Sequence, residues 1–197
     1  MNKVDMLEIV VMRHGEPRLP QFNRIKAGDF QACVKIYDEA GICESSRPHE
    51  SILSRFKGHD TVVSSDLNRS QQSAALFSDP ATIRVDPLFR EAQLPYVEVP
   101  IIRLHPFIWG YIFHLFWLAR FPAHTESRGS AKKRSGECAR RLIELAHKNG
   151  KVMLVGHGLI NACIGSELRA LGWAGPRIPG TGFWDYSIYR KTVASLA

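Results

Sequence analysis

Short apolar runs alternate along this chain with longer segments of helical spacing. Leu7-Glu8-Ile9-Val10-Val11-Met12 is β-branched and has no helical period, as expected of a buried strand. Thr61-Val62-Val63, Thr82-Ile83-Arg84-Val85-Asp86 and Lys151-Val152-Met153-Leu154-Val155 read as further strands, and Phe183–Arg190 alternates like an edge strand. Phe22, Ile25, Phe30, Val34, Ile36 and Tyr37 predict a loosely amphipathic helix from near Gly28, stopped by Gly41. Asn68 to Phe77 predicts another, with Ala74, Ala75 and Phe77 inward and Asp79-Pro80 closing it. Cys138, Ala139, Leu142, Leu145 and Ala146 mark the buried face of a third, ended by Gly150. Ile160, Ile164, Leu168 and Leu171 place a fourth between Gly158 and Gly172.

Three of these strands end in chemistry. The first runs into Arg13-His14-Gly15, the second into Ser64-Ser65-Asp66-Leu67-Asn68-Arg69, and the fourth into Gly156-His157-Gly158. In an open α/β sheet, reactive groups gather beyond the carboxyl ends of the strands. If these runs are neighbours in one parallel sheet, Arg13, His14, Arg69 and His157 converge. Two guanidinium forks suit phosphate oxygens, and two imidazoles supply a nucleophile and a further donor. The helix opening after His157 adds free main-chain N–H groups, which favour an anion. No serine lies between the glycines, so the segment is not a nucleophile elbow. Asn161 in the third glycine position excludes a dinucleotide fingerprint.

The ordered set resembles the histidine phosphatase (phosphoglycerate mutase-like) superfamily, branch 1. Arg13-His14-Gly15 is similar to its hallmark, Ser64–Ala74 to its second-arginine motif, and Val155-Gly156-His157-Gly158 to its second-histidine motif. The resemblance covers residues 5–16, 61–77 and 151–172. It implies a three-layer α/β/α sandwich with a mostly parallel central sheet. It also implies a metal-independent phosphoric monoester hydrolase working through phosphohistidine, with no cofactor and a small-molecule phosphate ester as partner. By the same resemblance His14 is the nucleophile, Arg13, Arg69 and His157 bind phosphate, and Glu91 is the proton donor and later the base. Ala92-Gln93-Leu94-Pro95 follows Glu91 where many members carry a glycine-rich loop, which leaves Asp86 and Glu98 as substitutes. Glu16 and Ser65 are candidates to support the pocket residues. The extra length and basic loops of glycolytic mutases are missing, which favours hydrolysis over mutase-type transfer.

Composition narrows the class further. The 197 residues, 45% hydrophobic and 23% charged, suit a single globular domain spanning 1–197. A net charge of +7 suits an anionic partner without choosing among phosphate esters, nucleic acid and acidic lipid. Cys33, Cys43, Cys138 and Cys163 lack paired spacing, so no zinc site or disulfide framework is indicated, and the missing signal peptide points to the cytoplasm. Arg128, Lys132, Lys133, Arg134, Arg140 and Arg141 read as the solvated face of the third helix. Without aromatic interleaving they give no nucleic-acid site.

Residues 95–125 form an aromatic-rich insert. Leu104 to Ala119 carries no charge and includes Phe107, Trp109, Tyr111, Phe113, Phe116 and Trp117, yet falls short of the ~20 apolar residues of a membrane span. A buried helix, a lid over an apolar substrate, and a contact of residues 104–121 with a membrane surface or a second copy remain open. His105, His114 and His124 read as ordinary polar positions. Two rival functions also stand: a metal-dependent hydrolase using His14, His59, Asp60 and His157, and a non-catalytic, membrane-associated phosphate-binding module.

Overall fold

The computed structural model describes residues 4–59, 61–119 and 126–194. Its strands are β1 (Val4–Arg13), β2 (Ile25–Lys26), β3 (Val62–Ser64), β4 (Arg84–Val85), β5 (Arg103–Leu104), β6 (Lys151–Gly156) and β7 (Tyr186–Ala194). Its helices are α1 (Phe30–Glu39), α2 (Glu50–Phe56), α3 (Asn68–Ala74), α4 (Pro106–Leu118), α5 (Arg128–Asn149) and α6 (Gly158–Ala170). The main sheet runs β4-β3-β6-β1-β7, parallel except for β7, which lies antiparallel on β1 at one edge.

Residues on β1 alternate between two cores, as a pleated strand covered on both sides requires. Leu7, Ile9 and Val11 join Leu142 and Leu145 of α5 and Ile160, Ile164 and Leu168 of α6. Val10 and Met12 face the other way, onto Phe56, Ala74, Phe77 and Trp184. The result is the α/β/α layering with a mostly parallel central sheet. α4 lies beside this body, with Trp109 and Phe113 packed on Phe30 of α1.

Local departures from the sequence pattern have physical causes. Ala75 is exposed and Ser73 buried, because the Ser73 hydroxyl donates to the Arg69 carbonyl and accepts from the Gly15 N–H. α3 ends at Ala74, and Asp79 accepts the Ala81 N–H at the start of the next turn. Ile36 and Leu171 are also exposed; Leu171 falls past the end of α6, where Gly172 turns the chain at φ 82°. Gly41 does not end α1 through a left-handed turn: Ala40 leaves the helix extended, and the missing Cβ of Gly41 makes room for the Gln72 amide. Arg134 turns inward from its basic helix face, gripping Glu126 through two 2.7 Å bonds and donating to the carbonyls of Leu88 and Arg90.

Candidate active site

Sheet register brings the motif ends to one level. Arg13 pairs with Gly156 and Ser64 with Val155, so His14, Ser65 and His157 each lie just past the last paired residue of β1, β3 and β6. The His14 N–H donates to the Gly156 carbonyl at 3.0 Å, which locks the two histidine turns together. The His14 and His157 rings meet edge to face with centroids 5.0 Å apart.

Two contacts set the tautomer of His14. Its Nδ1 lies 2.7 Å from the Gly15 carbonyl, an acceptor only, so Nδ1 carries the proton. Its Nε2 receives the Nε–H of Arg69 at 3.2 Å, and arginine can only donate. The unprotonated nitrogen is therefore Nε2, with its lone pair on Arg69. Burial lowers the His14 pKa to about 3, and the Arg69 and Arg13 guanidinium groups push the same way against the Gly15 hydrogen bond. The ring is neutral at physiological pH.

His157 is fully buried, and burial, with His14 and the arginines beside it, holds its pKa well below the usual value. Its Nε2 lies 2.7 Å from Ser65 Oγ. That oxygen also accepts the Leu67 N–H, which ties the second histidine to the turn after β3. His157 Nδ1 and Arg13 Nε are both buried without a hydrogen-bond partner among the described residues. Arg13 Nε–H is a donor that an anion would satisfy, and His157 Nδ1 is a second one in the tautomer that carries its proton there.

Arg69 is wholly buried. Besides its bond to His14, it donates to the Tyr37 carbonyl at 2.7 Å and to Asp38 at 3.1 Å, and its guanidinium lies 4.3 Å from the Tyr37 ring. Arg13 donates to the Thr181 carbonyl and sits under the Phe183 ring at 4.4 Å, while Phe183 also stands 5.9 Å from the His14 ring. Arg13, His14, Arg69 and His157 thus lie together at the carboxyl end of the sheet.

A sequence profile of the histidine phosphatase superfamily (branch 1) matches residues 9–182, from the first strand to the loop before the last. The chain belongs to that superfamily. A mycobacterial glucosyl-3-phosphoglycerate phosphatase has the same fold, at TM-score 0.64 and 21% identity over 94% of this chain and 90% of that one. A structure of that phosphatase complexed with VO3 aligns at TM-score 0.55 and 20% identity, over 92% and 90% of the two chains. A phosphoserine phosphatase from Entamoeba histolytica, in complex with 3-phosphoglyceric acid, aligns at 0.54 and 18%, over 83% and 80%. No curated protein matched by sequence.

Within this histidine phosphatase fold, Glu91 stands at the N-terminus of α6, directly after His157. Its Oε1 accepts the N–H groups of Ile160 and Ala92, and its Oε2 accepts that of Leu159. Glu16 is exposed; its main chain, not its carboxylate, is tied in, through Ser46 and Cys43. Of the substitutes for Glu91, Asp86 caps the turn at Leu88 and Glu98 is exposed.

The metal-ligand set does not assemble. His59 lines a cleft with Glu8 and Lys151, at the opposite end of β6 from His157, and Asp60 lies outside the described residues, as does His124. Sequence reasoning missed Tyr37, Asp38 and Phe183. Tyr37 reads as an ordinary helix position and Phe183 as the start of an edge strand, so neither carried a signal of the site.

Proposed function

We propose that this protein is a phosphatase that hydrolyses phosphomonoesters through a phosphohistidine on His14. The observation that carries this reading is the neutral, Nδ1-protonated His14 with its Nε2 lone pair turned to the Arg69 guanidinium. The phosphatase names of the structural relatives, and the VO3 complex among them, support it.

In the first step Nε2 forms a bond to phosphorus as the bond to the leaving oxygen breaks. Arg13, Arg69 and His157 Nδ1–H hold the remaining oxygens, Arg69 turning its Nε–H from His14 onto phosphate. The ring gains positive charge, and the Gly15 carbonyl keeps its bond to Nδ1–H. Glu91, entering the cycle protonated and with one oxygen off the α6 amides, gives that proton to the leaving oxygen and is left as carboxylate. In the second step water attacks phosphorus and gives its proton to Glu91, the N–P bond breaks, and neutral His14 is restored with release of phosphate. The arginines supply the charge that Mg²⁺ supplies in other phosphoryl transfers, so no metal enters either step. The exposed Phe183 ring beside His14 and Arg13 favours substrates with an apolar or aromatic moiety.

Rapid-quench mass spectrometry after mixing with a phosphomonoester in EDTA tests the proposal. Phosphate should be found on His14, and His14→Ala should neither label nor turn over. Activity surviving in His14→Ala, or lost to EDTA in the wild type, refutes it.

A further inference from the structure

We propose that the outer face of α4 docks the protein on an anionic bilayer surface. This inference is independent of the phosphatase reading. Along this ~20 Å helix, Trp109, Phe113 and Trp117 face inward and are buried. The opposite face is apolar as well: Phe107 is 60% exposed, Tyr111 67%, Leu115 46% and Leu118 42%. Just before the helix, Ile101 is 89% exposed. A surface helix normally turns charged residues outward, so one exposing a continuous apolar stripe marks an interaction face.

Charge chooses the partner. At the start of the stripe Lys26 and Arg103 pair across β2 and β5, both exposed. At its end Arg128 donates to the Leu118 carbonyl, and exposed Lys132 and Lys133 follow one turn along α5. The sequence has no acidic residue from 99 to 125. Glu126 is consumed by Arg134, while Glu98 lies exposed against Gly28. An apolar stripe with basic groups at both ends matches acyl chains beneath anionic headgroups, and Tyr111 is suited to that boundary. Self-association fits less well. A two-fold pairing of α4 with its copy brings a basic end against a basic end in either direction.

Co-sedimentation with phosphatidylcholine–phosphatidylglycerol vesicles, compared with pure phosphatidylcholine, is the test. The wild type should bind the mixed vesicles and lose at least about tenfold in partitioning on pure phosphatidylcholine or in high salt. Tyr111→Asp with Leu115→Asp should abolish binding while circular dichroism and the melting temperature hold. Should that variant misfold, Lys132→Glu with Lys133→Glu, on exposed positions of a helix anchored elsewhere, should weaken binding about tenfold. Two results overturn the proposal. One is wild-type protein that ignores anionic vesicles. The other is a dimer in sedimentation velocity that Leu115→Asp dissociates and that leaves vesicles unbound.

Discussion

Arg69 Nε donates to His14 Nε2 across 3.2 Å, so the group that would neutralise a phosphoryl oxygen rests on the nitrogen that would attack it. Two of its four other N–H donors are held by the Tyr37 carbonyl and Asp38. The guanidinium is therefore fixed beside the attacking nitrogen before substrate arrives, and its Nε–H has only to pass from His14 to phosphate.

Arg69→Lys keeps the charge and discards the fork. Steady-state assays should show kcat lower by ~10²–10³, the range for losing one positioned donor. A lysine variant of near wild-type kcat would mean charge alone suffices.

Burial of neutral histidine links stability to pH. A His14 pKa of about 3 in the folded chain, against 6.5 unfolded, means that between these values the unfolded chain binds the proton. The contribution of His14 is complete above about pH 6.5 and is lost as pH falls towards about 3; His157 acts in the same direction. Thermal melts should fall steadily over that window, and His14→Gln should flatten the slope. An unchanged slope in His14→Gln would show that other groups carry it.

Glu91→Gln separates proton transfer from structure. If Glu91 protonates the leaving oxygen, kcat on alkyl phosphates should drop ~10²-fold or more, with much smaller losses on aryl phosphates that depart unaided. Equal losses on both, with a lower melting temperature, would leave Glu91 holding only the start of α6 through Leu159 and Ile160.

Gly15 is required by its neighbour. A Cβ there would lie 2.2 Å from the Trp184 indole, which is held at φ 64° and donates its Nε1–H to Ser46. Gly15→Ala should cost about 2 kcal/mol in urea unfolding and displace His14. Adding Trp184→Phe should restore part of that stability. No loss in Gly15→Ala would mean the loop at 184 shifts freely.

Much of this architecture is written locally. Buried β-branched runs specify β1 and β6, and the periodic faces of α5 and α6 follow from side chains a few positions apart. Arg13, His14 and His157 were legible for the same reason, each sitting where an apolar run stops, and Arg69 follows in the first turn of the helix after such a run. What each of them touches was not. Asp38 meets Arg69 from 31 residues away, His14 meets it from 55, and Ser65 meets His157 from 92. Those pairings depend on strand order and on how the helices pack against the sheet, which arise only when the sheet closes. Arg134 shows the same divide: its sequence neighbours place it on a solvated face, but the carbonyls of Leu88 and Arg90, delivered by a distant turn, draw it inward.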